Sequence, residues 1–350
     1  MEKPRIATMI LACVLLFCEP GREGHGQTPT PGPITKSVIV LSLRSAAQAQ
    51  RCSNATLLAE IFTDAKSLRA YYVENSYGLA SISGTVSGPY TIAMGDTCDT
   101  DKYESAADAA ASAAGVNLSA YDSTFYILPP ESVTLGCGAG ETSGIGSRVT
   151  KSWVREDLCD SKFGLGHEMG HAFGVRHSSI SGTYVPPPVL SAKQTATRQL
   201  EYGDLSSMMG GIFDGLVEEP TYLSQFNETP HFAAPLKIHE GWLPEANVQT
   251  VTVGGSYRVA LLEKALTDVQ VLKVVAGAST YYCSYRRAVG FDSILLDQYV
   301  DKTSVHTSNG PGRSTLYANL GDGQSYSNGQ LTVTQVRHDA TYAYVTISFP

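Results

Sequence analysis

The sequence predicts an α+β domain followed by an all-β domain, and two patterns lead to that prediction. Strand-like and helix-like segments alternate up to about residue 160, which is typical of helices packed on a sheet. From Asn247 onward the segments are strand-like and are separated by turn residues. The chain has 350 residues, 43% of them hydrophobic, which is enough apolar material for two cores. We therefore expect domains at residues 27–246 and 247–350, after an export segment at residues 1–26.

The N-terminus has the pattern of a signal peptide. Lys3 and Arg5 precede an apolar run, Ile6 to Cys18, that is too short to span a bilayer as a mature helix. A small residue, Gly26, marks the expected cleavage point. No later segment is long and apolar enough to span, so we expect a secreted, extracellular protein without a membrane span, the cell surface and the periplasm being the other compartments open to it.

The elements of the first domain follow from periodicity. SVIVLSL (37–43) is β-branched and leucine-rich and predicts a buried first strand, and Thr56–Tyr72 has the apolar spacing of one or two helices packed on it. SISGTVSGPYTIAM (81–94) alternates small, polar and apolar residues with glycines and predicts a twisted hairpin. An alanine-rich helix ending at Gly115 and a short buried strand, STFYILP (123–129), come next. A glycine-rich loop (136–146) then leads into a strand, SRVTKSWV (147–154).

The second domain is expected to be a β-sandwich or barrel, because short strands recur with turn signals between them. The expected strands are VQTVTV (248–253), SYRVALL (256–262), VQVLKVV (269–275), TYYCSY (280–285), SILLDQYV (293–300), STLYANL (314–320), LTVTQVR (331–337) and YAYVTISF (342–349).

Cysteines and charge limit the function further. Cleavage of the signal leaves Cys52, Cys98, Cys137, Cys159 and Cys283, so two disulfides and one odd thiol are expected in an oxidising compartment. Spacing does not fix the pairing, although Cys52 with Cys98 and Cys137 with Cys159 would keep each bridge inside the first domain. A formal net charge of -8 argues against a nucleic-acid partner, which would need clustered Lys and Arg to neutralise phosphates.

The stretch GLGHEMGHAFGVRH (164–177) has the spacing of a metal site. On a helix, His167 and His171 are four residues apart and project from one face, where they can share an ion. Glu168 can reach a water on that ion without being a ligand, which suits a general base. Gly174 tolerates the positive φ needed for a sharp turn, which brings His177 round as third ligand.

Three neutral imidazoles and one water form the open tetrahedral arrangement of catalytic zinc, whereas structural zinc is usually closed by four protein ligands. We therefore expect one catalytic Zn²⁺ held by His167, His171 and His177. The other candidate histidines, His231 and His306 among them, have unpatterned surroundings and are expected to be surface or satisfied core groups.

Two motifs give the chain a family resemblance. Residues 167–177 match H-E-x-x-H-x-x-G-x-x-H, the metzincin consensus, which is followed by a methionine-containing turn. EYGDLSSMMG (201–210) resembles the Met-turn segment of the gametolysin-like metallopeptidases, with their Y-G-D-x-S-x-x-M-G pattern. The similarity extends upstream to SYGLASISGTVSG (76–88) and downstream to KIHEGWL (237–243) and the β-rich tail.

The resemblance implies a metzincin-like domain with the active-site helix under a twisted mixed sheet. It also implies that Met209, rather than Met208, lies beneath the zinc site as a hydrophobic floor for the imidazoles. Gly211 stands where some metzincin relatives have a zinc-binding tyrosine, so no tyrosine ligand is expected.

The function implied is that of a secreted zinc endopeptidase acting on extracellular, matrix or cell-wall proteins. An extended protein or peptide substrate would add a strand to a sheet edge, for which Ser147–Val154 is the candidate, and the loop from Ser178 to Leu200 would set side-chain preference. The alternative is a non-catalytic, zinc-containing binding protein of the cell surface or matrix. Glu168 favours the enzyme, because a binding protein does not need the general base. The C-terminal β domain could have a carbohydrate or protein target of its own. Packing on the catalytic domain is the favoured expectation, since no surface aromatic cluster stands out.

Overall fold

Three β-sheets and a set of mostly short helices make up the part of the chain that the computed structural model describes, residues 32–181, 200–210 and 230–350. The architecture is α+β, as predicted. The helices are α1 (Asn54–Leu58), α2 (Leu68–Asn75), α3 (Thr100–Ala113), α4 (Glu131–Thr134), α5 (Lys162–Phe173) and α6 (Ala234–His239). The predicted export segment, Gly211 and most of the loop between Ser178 and Leu200 lie outside the described residues.

The strands divide between the two predicted regions. Those of the N-terminal region are β1 (Ile34–Arg44), β2 (Ala80–Thr91), β3 (Ser123–Ile127), β4 (Gly140–Ser143), β5 (Thr150–Val154) and β6 (Ser178–Ile180). Those of the C-terminal region are β7 (Val248–Val251), β8 (Gly255–Ala260), β9 (Val271–Ala276), β10 (Ser279–Arg286), β11 (Lys302–Thr307), β12 (Ser314–Leu320), β13 (Ser325–Ser327), β14 (Thr332–His338) and β15 (Tyr342–Ser348).

The first sheet is mixed and has the order β2-β1-β3-β5-β4, with β4 antiparallel to its neighbour and the other pairs parallel. Its central strand β1 is buried on both faces, because Val38 and Val40 pack against α1, α2 and α5 while Ile39 and Leu41 pack against α3. Continuous apolar sequence is what two covered faces require. The prediction of a buried first strand is confirmed.

The hairpin predicted at residues 81–94 is wrong. This segment lies mainly in one long strand, β2, which runs parallel to β1. A Cβ at Gly84 would collide with the carbonyl oxygen of Val38, so this glycine serves close approach of the two strands and not a turn. A glycine within an alternating segment can therefore indicate close packing of two strands and not a turn.

The predicted substrate-binding edge is also misplaced. Thr150–Val154 lies inside the sheet between β3 and β4, and all but one of its residues are buried. The edge strand next to β5 is β4, which forms within the glycine-rich loop and pairs with β5 in antiparallel register. A four-residue strand flanked by glycines carries almost no propensity signal, so the sequence pattern assigned the edge to its stronger neighbour.

The C-terminal region forms two sheets that share one hydrophobic core. Their orders are β6-β12-β11-β10-β9-β7 and β13-β14-β15-β8, and buried residues of both, such as Leu272 and Val345, belong to the same cluster. Two sheets around one core make a sandwich. One expected strand is wrong, because residues 293–300 contain the end of a 3₁₀ segment, Gly290–Ile294, and a turn at residues 297–300. Strands β11 and β13 were not predicted.

Contacts join the two regions that the sequence predicts as separate domains, residues 27–246 and 247–350. The domain boundary itself stays a prediction. Strand β6, directly after His177, joins the six-stranded C-terminal sheet by pairing in parallel with β12. Ile180 and Leu316 share a small core with Tyr299. The two regions are therefore continuous through a sheet, next to the last residue of the histidine motif.

Two disulfides are present and Cys283 is a buried free thiol, as predicted, but the suggested pairing is wrong. The bridges join Cys52 to Cys159 and Cys98 to Cys137. Each lies on one side of the first sheet, Cys52 and Cys159 with the core that contains α5 and Cys137 with the core that contains α3. Each pair joins cysteines that lie on the same face of the sheet. Cysteine spacing in the sequence does not show which face a cysteine lies on, so it could not give the pairing.

None of the helices within the described ranges combines the length and the hydropathy needed to cross a membrane.

Candidate metal centre

Helix α5 supplies the first two histidines. Its N-cap is Ser161, whose hydroxyl accepts from the Gly164 amide, and it ends at Gly174, which has a φ of 129°. The amides of Gly174 and Val175 both return to the carbonyl of Gly170, closing the helix. The predicted glycine turn is present, and it directs the chain back toward the same face of α5.

The three histidines of the motif converge. His167 and His171 are buried, His177 is half-buried, and one ring nitrogen from each lies within 4.8 Å of the others. The Nε2 atoms of His171 and His177 are 3.2 Å apart. Two nitrogens bound to one tetrahedral ion at about 2.0–2.1 Å would be about 3.3 Å apart, so the donor set fits a metal ion.

Each imidazole is oriented by an acceptor at its other nitrogen. Nδ1 of His167 lies 3.0 Å from the carbonyl oxygen of Met208, and Nδ1 of His171 lies 2.8 Å from that of Val175. Nδ1 of His177 lies 2.7 Å from Oε1 of Glu201. Donation from Nδ1 in all three rings leaves the Nε2 lone pairs for the ion, which is the usual outer arrangement of metal-binding histidines.

Burial keeps the three rings neutral. It lowers the pKa of His171 to about 4 and that of His167 well below the ordinary value of 6.5, and the neighbouring imidazoles add to the effect. Burial also lowers the pKa of His177, against the opposing influence of Glu201. The neutral imidazole is the form that binds a metal, so the site is prepared for an ion at neutral pH.

Glu168 is buried beside the triad and is held from the sheet edge. The hydroxyl of Thr142 on β4 donates to its Oε2 at 2.7 Å and is itself within 2.8 Å of the Ser152 hydroxyl. A Cβ at Gly140 would lie 2.7 Å from Oε1, so the glycine leaves room for the carboxylate. Burial raises the pKa of Glu168 to about 7, with the Thr142 hydrogen bond opposing it.

The turn at residues 204–210 lies beneath α5. Met208 and Met209 are fully buried, and they fill the spaces left by the absent side chains of Gly166 and Gly170. The Met209 carbonyl accepts from the Ser178 amide at 2.7 Å. Both methionines therefore support the helix that carries the histidines, and the specific role of Met209 beneath the imidazoles stays a prediction.

Two residues of the site, Thr142 and Glu201, are not identified from the sequence, and a third, Tyr202, is given no role there. Thr142 holds Glu168 and Glu201 holds His177, while the Tyr202 ring centroid lies 3.8 Å from that of His177. Tyr202 has a φ of 65°, an uncommon conformation for a non-glycine residue. Tyr202 matches the family pattern at residues 201–210, and Glu201 stands beside it, so the motif could have indicated Glu201 as well. Thr142 lies in a glycine-rich loop with no comparable signal.

The other histidines lie elsewhere. His231 is fully buried between Glu74 and Lys237, and His306 is fully buried against Asp204. His231 is a satisfied core group, as expected, because both ring nitrogens have partners. His306 is a core group that is satisfied only at Nε2, since its buried Nδ1 has no hydrogen-bond partner within the described residues.

Fold and site together define an α+β protein with a three-histidine centre that can hold a metal ion. No model of a known protein family and no curated protein matches the chain.

Proposed function

We propose that the chain is a secreted zinc endopeptidase of the gametolysin-like, metzincin type. One observation carries the proposal: three imidazoles converge at the end of an HExxH helix, with the buried carboxylate of Glu168 beside them and a sheet edge next to that carboxylate. The same residues form the motifs that resemble the family, so the sequence pattern and the spatial arrangement support one another.

The donor set supports zinc. Imidazole nitrogens suit Zn²⁺, and catalytic zinc sites characteristically have three protein ligands and one open position. When bound, zinc lowers the pKa of a coordinated water to about 7 and polarises a carbonyl. His167, His171 and His177 would hold the ion, each with its Nδ1 fixed by an acceptor.

Glu168 is suited to moving the proton. A general base works best when its pKa lies near the operating pH, and burial raises the pKa of this carboxyl to about 7. Thr142 holds Oε2 and leaves Oε1 facing the space beside Gly140. In the proposed reaction Glu168 takes a proton from the attacking water and delivers it to the leaving amine of the peptide.

Strand β4 is the proposed substrate-binding edge. It is one of the two outer strands of the first sheet, and the side chain of its Thr142 contacts Glu168 directly. An extended peptide that pairs with Gly140–Ser143 would add a strand by main-chain hydrogen bonds and bring its backbone to the carboxylate. Such a site favours protein substrates, here proteins outside the cell.

The deciding experiment is casein or gelatin cleavage by the mature chain and by Glu168→Gln, with bound zinc quantified in both. We expect equal zinc content and a loss of cleavage of about 100-fold or more in the variant, which retains hydrogen-bonding shape but not basicity. Glu245→Gln, at an exposed position, is the matched control and should cleave like the parent. Zinc binding without cleavage by any of the three proteins would favour the non-catalytic binding protein.

A further inference from the structure

The C-terminal β region reaches the histidine centre at two places. One contact holds the turn at residues 204–210, and the other holds the chain on either side of His177. The first contact comes from a buried polar side chain of β11, and the second comes from β12 and the residues before it. Both strands belong to the C-terminal region and lie far along the chain from the histidine motif.

The first contact is a buried pair between His306 on β11 and Asp204 in the turn. Nε2 of His306 lies 2.9 Å from Oδ2 of Asp204, and both side chains are fully buried. The other oxygen, Oδ1, accepts from the amide of Ser206 at 3.1 Å and from its hydroxyl at 2.6 Å. His306 thereby fixes the carboxylate that folds the turn. Arg286 on β10 adds a hydrogen bond to the Ser206 carbonyl at 3.0 Å.

This turn presents the acceptor for the first metal-binding histidine. The Met208 carbonyl, two residues after Ser206, lies 3.0 Å from Nδ1 of His167. A shift of the turn would move that acceptor and rotate the imidazole, because its orientation depends on that hydrogen bond. His306 therefore influences His167 through Asp204 and the Met208 carbonyl.

The second contact surrounds the third histidine. The amide of Arg176 donates to the Gly312 carbonyl at 2.6 Å, and Ser314 pairs with Ser178 in parallel register. The Ser314 hydroxyl donates to that of Ser178, which in turn donates to that of Ser207, both at 2.9 Å. The neighbours of His177 and the turn beneath His167 are thus joined through one line of buried hydroxyls.

We infer that His306 and Ser314 are positioning residues of the metal centre. The C-terminal β region is then a part of this centre and not an independent module. The inference rests on the metal binding in the proposed function. Groups hydrogen-bonded directly to a metal ligand typically change metal affinity by about 10- to 100-fold when they are removed. His306 and Ser314 act through intervening groups, so we expect a smaller change of about three- to tenfold. A residue that served stability alone would leave the affinity of the folded protein unchanged.

The test compares His306→Leu with Thr303→Val in the full mature chain. Thr303 lies on the same strand, is fully buried and donates a hydrogen bond to Gln335 at 2.6 Å, so its replacement removes one buried hydrogen bond away from the turn. His306→Gln keeps a donor and serves as the rescue variant. Affinity for Zn²⁺ is measured by chelator competition, the Co²⁺ absorption spectrum reports ligand geometry, and near-ultraviolet circular dichroism establishes folding.

We expect about three- to tenfold weaker binding and an altered Co²⁺ spectrum in His306→Leu, parental values in Thr303→Val, and recovery in His306→Gln. If the parent binds an ion and folded His306→Leu binds it equally well, the inference is overturned while the proposed function stands. A parent that binds no ion overturns both.

If His306→Leu does not fold, Ser314→Ala and its control Ser304→Ala decide. Ser304 is a buried serine of β11 that donates to Asn319 at 2.6 Å, away from the histidines. Weaker binding in Ser314→Ala alone supports the inference, and equal binding in the two variants overturns it.

Discussion

At the scale of single residues, His177 differs from the other two histidines in what orients it. His167 and His171 have buried backbone carbonyls as acceptors, whereas His177 has the carboxylate of Glu201, whose side chain is 53% exposed. Arg313 from the C-terminal region lies 3.4 Å from the same carboxylate oxygen. His177, the proposed third ligand, is therefore held by an exposed carboxylate that is itself paired with Arg313, and a substitution can remove this carboxylate without opening the core.

Replacement of Glu201 should weaken metal binding and leave folding intact. In Glu201→Ala, His177 loses the acceptor that fixes its tautomer, and we expect about 10- to 100-fold lower Zn²⁺ affinity. Chelator competition measures the change, and urea unfolding of the metal-free proteins should give similar free energies. Glu245→Ala is the control at an exposed position, and an affinity equal to that of the control would count against the role assigned to Glu201.

His231 is a buried histidine whose two ring nitrogens both have hydrogen-bond partners within the protein. Its Nε2 lies 3.1 Å from Oε1 of Glu74 and its Nδ1 lies 3.1 Å from Nζ of Lys237. Donation from Nε2 and acceptance at Nδ1 satisfy the neutral ring. Burial lowers its pKa from 6.5 to about 4, and the nearby Lys237 acts in the same direction.

This histidine should make stability fall in acid. Between pH 6.5 and about 4 the unfolded chain binds a proton at His231 that the folded protein does not, so its contribution, complete above pH 6.5, is lost as pH decreases. The loss is about 3 kcal/mol. Urea unfolding with a chelator present should therefore show the advantage of the parent over His231→Gln shrinking from pH 7 to pH 4.

His239→Gln provides the comparison for that measurement, because the His239 side chain is 37% exposed. Its difference from the parent should vary much less with pH. A pH-independent advantage of the parent over His231→Gln would contradict the assignment of a neutral, buried ring.

At the scale of elements, strand β4 lies at the sheet edge and contacts Glu168, the proposed general base. The Glu168 carboxylate occupies the space that a side chain at Gly140 would fill. The Thr142 hydroxyl, two residues further on, donates a hydrogen bond to the same carboxylate. The strand therefore supplies both the space and the hydrogen bond that fix Glu168.

Gly140→Ala should reduce activity far more than stability. The new methyl group would lie 2.7 Å from Oε1 and 3.0 Å from Cδ of Glu168, and the flexible side chain can move away at little cost in folding energy. We expect zinc content to be unchanged and kcat to fall by about tenfold or more, since the base leaves its position. Gly95→Ala, whose Cβ would meet its nearest neighbour at 3.6 Å, is the matched control.

The elements that sequence reasoning missed share a physical cause. β4 and β13 are four and three residues long, and β2 contains glycines that serve close strand packing. Longer elements with continuous periodicity, such as α3 and β1, were found because their own side chains carry the signal. Short edge strands depend on a partner strand, so their sequence alone does not define them.

At the scale of the whole molecule, the disulfides close loops of different length. Cys52 and Cys159 are 107 residues apart and link the start of α1 to the segment just before α5, whereas Cys98 and Cys137 are 39 residues apart. In the chain-entropy model a longer closed loop restricts the unfolded chain more.

Removal of the longer link should therefore cost more stability. Each double Cys→Ala variant is expected to lose about 2–5 kcal/mol, with the Cys52/Cys159 variant about 1 kcal/mol less stable than the Cys98/Cys137 variant. Urea unfolding measures both, and Cys283→Ala corrects for the loss of a buried sulfur. The reverse order of stabilities would show that native contacts, and not loop length, dominate.

The sequence by itself determined the candidate ligands and the helix that carries them. Spacing of four residues fixes the face shared by His167 and His171, and a glycine that accepts positive φ ends the helix before His177. These relations are local, so they can be inferred from neighbouring residues alone.

Tertiary structure decided which groups hold the candidate ligands and Glu168 in place. Thr142 is 26 residues from Glu168, and His306 is 102 residues from Asp204. The disulfide partners and the true sheet edge depend in the same way on how the strands assemble. Contacts between distant segments are set by the packing of whole sheets, and no local pattern in the sequence encodes them.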